Sequence, residues 1–345
     1  MYTLMQKSGW GPCLAAVLFL FCFLLGLPSS ALSQQGKIKT FDVPGAIYSF
    51  AQVINDEGVI AGYYTDAASV HGFVRDEDGV VTSFDPPGST QTYPKSMNED
   101  GAISGSYYDA NNAVHGFVRS QRGKITTFDA QGAVNGTFPV SINEEGTIVG
   151  FYYDARFYVQ AFVRYQGGTV RTINIPRAVF GGSAQGVNGE GKIAGQFDDG
   201  SGGQHGFVRD SHGTFDTFDV TSNDVVYVVG INDTGEIAGF YYPPNWYHGY
   251  VRDAQGVVTT FDAPGSDATL PTSINKGGAI AGYYFDPGFG AVHGFVRDAQ
   301  GSINTFDAPD ATVTATFPFS INREGTITGY YFTSTGGVHS FVRQR

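Results

Sequence analysis

The stretch SINKGGAIAGYYFDPGFGAVHGFVRDAQGSINTFD, residues 273–307, reads as four short strands and the turns between them. Ser273-Ile274-Asn275 is a short strand, Lys276-Gly277-Gly278 a tight turn, and Ala279 to Tyr284 the return strand. His293 to Arg297 is a third strand, Asp298 to Gly301 a second turn, and Ser302 to Asp307 a fourth strand. Apolar residues alternate with a period of two, which excludes an amphipathic helix. Glycine in the turns supplies the positive φ that tight hairpins demand.

The same pattern fills the rest of the chain. His-Gly-Phe-Val-Arg starts at His71, His115, His205 and His293, with variants at Gln160, His248 and His339, so seven copies follow one another at intervals of 43 to 46 residues. Asn-x-x-Gly recurs from Asn55, Asn98, Asn143, Asn188, Asn232, Asn275 and Asn322. Thr-Phe-Asp and its variants end at Asp42, Asp85, Asp129, Asn174, Asp219, Asp262 and Asp307. Four strands in about 40 to 45 residues is the period of a propeller blade, whereas β-solenoid coils are shorter.

The ends of the repeat array choose between ring and rod. It enters at Thr40-Phe41-Asp42, a fourth strand without the first three, and leaves at His339 to Arg343, a third strand without a fourth. A ring explains this split, because the first strand completes the last blade and no edge is left open. The expectation is all-β: a seven-bladed β-propeller of four-stranded blades, closed by the N-terminal strand, spanning residues 34–345 as one domain.

The six histidines and six aspartates of the repeat look like acid/base machinery, but recurrence in every blade points to a structural bond. Folding the third strand onto the fourth brings His71 to Asp85, His115 to Asp129, His205 to Asp219, His248 to Asp262, His293 to Asp307, and His339 to Asp42 across the closure. Gln160 and Asn174 break the pattern in the same blade, which suggests a neutral substitute for the pair. The arginines from Arg75 to Arg343 read as blade-edge residues, and the repeated asparagines as side chains bonding their own turns. Asp76 to Gly79 and Asn55 to Gly58 lack the spacing of a calcium loop and read as hairpin turns. No catalytic motif, metal set or cofactor motif is present.

Residues 1–33 read as a secretory signal peptide: Lys7, an apolar run from Cys13 to Leu27, then Ala31-Leu32-Ser33 before the cut. The run is too short for a spanning helix of ~20 residues. Both cysteines, Cys13 and Cys22, leave with it, so the exported chain has no disulfide. Secretion to the periplasm or the cell exterior follows. A chain with 41% hydrophobic and only 15% charged residues has a core to bury, which excludes disorder. A net charge of −12 argues against nucleic acid and anionic bilayers, which need clustered Lys and Arg.

The combination of Ile-Asn-x-x-Gly, Ile-x-Gly-Tyr-Tyr and His-Gly-Phe-Val-Arg resembles the HAF family of extracellular repeat proteins over residues 40 to 343. The resemblance implies export and a repeated β architecture, and it brings no catalytic residues.

Function is expected in the loops joining second to third strand and fourth strand to the next blade, which share one face. Trp246 and Tyr247, Tyr64, Tyr108, Tyr153 and Tyr284, with Arg156 and Arg177, are the candidate ligand-binding residues for a glycan, peptide or protein bound by a monomer. Aromatic faces beside polar groups suit sugars and peptides. Trp246 leads, in the stiff segment Pro243-Pro244-Asn245. The alternative is a carbohydrate-active enzyme, lyase or glycosidase, built from the residues that break the repeat: Arg156, Arg177, Asp198, Asp199, His212 and Lys276.

Overall fold

The structure is a computed structural model that describes residues 36–222, 225–243, 246–310 and 313–345. Residues 1–33, read above as a signal peptide, and Pro244 and Asn245 lie outside the described residues. Among the described residues every regular element is a strand, 28 in all. They fall into seven antiparallel sets of four, the first being Tyr48–Ile54, Ile60–Thr65, Val70–Arg75 and Val81–Phe84. The inner strands of the next six sets are Ser89–Met97, Thr137–Ile142, Gly181–Val187, Val225–Ile231, Ala268–Ile274 and Val313–Ile321. Each inner strand neighbours the next, and Val313–Ile321 neighbours Tyr48–Ile54, so the sets close a ring. The molecule is a β-propeller. In the seventh blade the outer strand comes from the other end of the chain: Ile38–Phe41 pairs antiparallel with Val338–Arg343, Thr40 opposite Phe341 and Phe41 opposite Ser340.

The inner strand is longer than the local sequence suggests. In the sixth blade it extends back to Ala268, past Pro271, because the register shifts between Pro271 and Ser273. The same bulge falls at Pro94/Ser96, Pro139/Ser141 and Pro318/Ser320, where a missing ladder donor costs least.

Hydrophobic burial is divided among seven clusters, each built from two neighbouring blades. The outer-strand phenylalanine joins them. Phe84 meets Phe117 of the next blade edge-on at 6.0 Å, with the Arg119 guanidinium 4.9 Å above its ring. Phe41, Phe128, Phe218, Phe261 and Phe306 repeat this contact. Its ring also lies on the glycine of its own third strand: a Cβ at Gly72 would stand 2.9 Å from Phe84. Where the outer residue is Ile173, that glycine is Ala161, so volume is conserved across the pair.

A second device runs around the axis. All seven repeat asparagines are buried. Each Oδ1 accepts the backbone N–H four residues on, as Asn143 does from Thr147 at 2.9 Å. Each Nδ2 donates to a backbone carbonyl of the next blade: Asn98 to Asn143 at 3.1 Å, Asn143 to Asn188 at 2.9 Å, Asn188 to Asn232 at 3.1 Å, Asn232 to Asn275 at 3.3 Å, and Asn275 to Asn322 at 2.8 Å. Asn322 donates to Asn55 at 3.0 Å and Asn55 to Glu99 at 3.4 Å, which completes the circle. The turn reading of these residues accounts for Oδ1 only.

Removing residues 36–43 takes away the closing strand and the Asp42 partner of His339. The expected loss is about 2 to 4 kcal/mol, a thermal midpoint lowered by roughly 5 to 10 °C. An unchanged midpoint by calorimetry contradicts closure by this strand.

Candidate functional site

The strand order gives the ring two unlike faces. Turns between inner and second strands, and between third and outer strands, share one face with the asparagine circle. The longer loops carry the other.

On the loop face, histidine Nδ1 meets the outer-strand aspartate in six blades: His71–Asp85 at 2.7 Å, His115–Asp129 at 3.0 Å, His205–Asp219 at 2.5 Å, His248–Asp262 at 2.8 Å, His293–Asp307 at 2.8 Å and His339–Asp42 at 2.9 Å. In four of them a second carboxylate, from the loop after the second strand, faces Nε2: Asp66 at 3.5 Å, Asp109 at 3.7 Å, Asp199 at 3.2 Å and Asp286 at 3.1 Å. Asp follows Tyr-Tyr closely in four copies, at Asp66, Asp109, Asp154 and Asp286, where the sequence marks a loop acid but not a partner of the histidine. The hydrogen bond between His293 and Asp307, against opposing burial and with help from Asp286, pushes the His293 pKa up to about 9.

One tyrosine of each pair lies against this histidine, with ring centroids 5.3 Å apart for Tyr64–His71 and 5.2 Å for Tyr284–His293. Tyr64 also bonds Ser83, and Tyr284 is buried. Tyr108 meets Tyr93 edge-on, and Tyr153 packs on Phe138 and Phe151. Successive strand residues point to opposite faces of the sheet, and in a blade both faces are covered by neighbours. These four candidates therefore pack within the scaffold.

Trp246 is different. It is 44% exposed and meets Phe289 from the corresponding loop of the next blade, the ring centroids 4.6 Å apart and the planes tilted by 58°. Phe289 has φ +57, and Tyr242, 41% exposed, and half-buried Tyr247 adjoin at 5.0 Å from each other. Left-handed backbone at a bulky residue costs about 1 to 2 kcal/mol. Asn112 and Gly336 close comparable turns with φ +62 and +84.

The blade that breaks the repeat also breaks the surface. Gln160 does not pair with Asn174: its Nε2 donates to Asp154 at 3.2 Å, since a carboxylate is the stronger acceptor. The inner-strand residue beside it is Gly182, where other blades use Ser49, Thr137, Thr269 or Thr316 to bond the incoming loop. The result is a cleft of about 230 Å³ whose lining includes Arg156, Tyr158, Gln160, Ile173, Asn174 and Gly182.

The residues proposed for catalysis divide between the two faces. Arg177 lies 3.4 Å from Asp199 on the loop face. Lys276 is on the asparagine face, 3.4 Å from Glu144, 3.6 Å from Glu99 and 4.0 Å from Asp233. Burial disfavours its charge, but these carboxylates outweigh burial and raise its pKa. His212 is exposed in the Asp210–Thr214 turn of that same face.

No protein-family model matches the chain, and no curated protein matches it. Its fold is similar to solved propellers. A catalytically inactive virginiamycin B lyase from Staphylococcus aureus, bound to quinupristin, aligns with TM-score 0.60 and 12% identity over 88% of this chain and 98% of that one. The propeller domain of the Trilobed protease from Pyrococcus furiosus aligns with TM-score 0.63 and 12% identity over 86% and 94%. A puromycin-hydrolyzing peptidase from Mycobacterium tuberculosis gives 0.64 and 11% over 92% of this chain and 54% of its own. Identities this low carry the architecture only.

His293 supports a pH prediction. Its folded pKa lies above the unfolded value of about 6.5, so its stabilisation is full below pH ~6.5 and is lost as pH rises through about 9. His293→Ala should cost on the order of 1 to 3 kcal/mol at pH 6 and distinctly less at pH 10. Denaturation midpoints equally lowered at both pH values contradict the ion-pair assignment.

Proposed function

We propose that the protein is a secreted, monomeric binding module of the HAF repeat type, without cofactor, which recognises a neutral glycan or a peptide on its loop face. The observation that carries this reading is the exposed ring of Trp246, braced by half-buried Phe289, whose backbone is held in a strained conformation. Flat apolar rings that are already ordered lose little entropy when a sugar face or an apolar side chain settles on them. The separation of Lys276 and His212 from Arg156 and Arg177 supports binding over catalysis, since an enzyme needs its exceptional groups in one place.

Tryptophan fluorescence tests the platform. In a Trp10→Phe background Trp246 is the sole indole, so a saturable change on titration with neutral oligosaccharides or peptides reports this spot. Trp246→Ala should weaken such a ligand about tenfold or more, measured by calorimetry. Binding that is indifferent to Trp246→Ala, or no response across a glycan and peptide panel, contradicts the reading.

A further inference from the structure

The cleft of the exceptional blade reverses the charge of its counterpart. Asn174-Ile175-Pro176-Arg177 occupies the same place in the repeat as Asp307-Ala308-Pro309-Asp310. The second segment, with His293, lines a cleft of about 180 Å³ that contains both Asp307 and Asp310. In the first, Asp has become Asn174, which lines the cleft with Arg156, and the second Asp has become Arg177, which stands in the loop between the lining residues Ile175 and Ala178. Two carboxylates in one cleft are thus replaced by an amide and a guanidinium in the other, with a second guanidinium on the adjoining loop.

Backbone conformation marks the same place. Arg177 has φ +69, whereas its counterparts Gly45, Gly88, Gly132 and Gly265 have φ +83, +80, +93 and +77. Phe157, in the adjoining loop, has φ +63 at the position of Asn112 and Gly336. Neither strained residue gains burial in return: Phe157 is 70% exposed and the Arg177 side chain 66%. Strain retained without packing is a mark of functional sites.

The lining identifies the chemistry. The Arg156 guanidinium lies 5.1 Å over the Tyr158 ring. Its nearest acid, Asp154, is 3.8 Å away, and the nearest to Arg177 is Asp199 at 3.4 Å. The acids are largely covered, 18% and 14% exposed, but each lies near one Nη2 of a guanidinium that is itself 74% or 66% exposed, so each guanidinium keeps N–H donors open to a carboxylate, which it binds in a two-pronged manner. The amides of Gln160 and Asn174 both donate and accept, as hydroxyl groups do. Ile173 and Gly182 give an apolar floor. Carboxylate, hydroxyls and an apolar C–H face coincide in a uronic acid ring. We propose that this cleft binds a uronic acid residue of an acidic polysaccharide. The site lies in other blades than Trp246 and stands or falls apart from it.

The test is calorimetric titration of the full chain carrying Trp246→Ala, which removes the platform proposed for neutral ligands, with trigalacturonate, and with maltotriose and triglutamate as neutral and peptidic comparisons. Trigalacturonate is expected to bind, more weakly as salt increases, while the other two do not. Arg177→Gly restores the residue of four other blades and should melt no lower than the parent, yet lose about tenfold in affinity, the scale of one charge-assisted contact. Asn174→Asp restores the common residue and should lose as much by repulsion. Absence of trigalacturonate binding, affinity unchanged in both variants, or equal binding of maltotriose or triglutamate overturns the proposal.

Discussion

The circle of asparagine hydrogen bonds is the constraint on which the remaining structure depends. Each side chain fixes its own turn through Oδ1 and the next blade through Nδ2, so every blade is placed by its predecessor. The groups are buried, where an unmade hydrogen bond costs about 1 to 3 kcal/mol. The Asn322 bond to Asn55 links the last inner strand to the first across a sequence separation of 267 residues. Serines of the inner strands add a parallel set of blade-to-blade bonds, such as Ser320 to the Ile54 amide at 3.3 Å and Ser141 to the Val187 amide at 3.3 Å. Near the axis, polar bonds set the angle between blades. Farther out, phenylalanine, glycine and arginine fill the gap that this angle leaves.

That division explains why the loop face is free to change. Where Phe becomes Ile173, Gly becomes Ala161, His becomes Gln160 and Asp becomes Asn174, the asparagine bonds on either side persist, Asn143 to Asn188 and Asn188 to Asn232. The inter-blade core there keeps Ile173 and Phe207 buried. A linked set of substitutions has opened a cleft without loosening the ring. Histidine–aspartate pairs in the other blades tie third strand to outer strand at the rim, a structural role that leaves binding to the exceptional residues.

Much of the fold was legible because the chain states it seven times. Period, strand number, the split blade and the histidine–aspartate distance all follow from spacing. What spacing could not give was contact between blades. Asn143 and Asn188 are 45 residues apart, and nothing local marks the Nδ2 of one as the partner of the other. The tyrosine pairs show contacts that spacing did not give either: Tyr64 is half-buried against His71 and Ser83, and Tyr284 is buried against His293. Of the departures from the repeat, Arg177 was read from the sequence and Gly182 and Phe157 were not, and only the structure shows that Gly182 lines a cleft with Arg156 and Gln160. The strand read from Ser273 proved to begin at Ala268, with Pro271 at a bulge inside it.

An Asn143→Ala variant, compared with its parent by hydrogen exchange and global denaturation, tests the central role of the asparagine circle. The account predicts lost protection at the Thr147 amide of the same turn, lost protection in the Asn188 to Lys192 turn of the next blade, and about 1 to 3 kcal/mol less global stability. Exchange that accelerates at Thr147 alone, with global stability unchanged, would show the asparagine to be a turn device and nothing more.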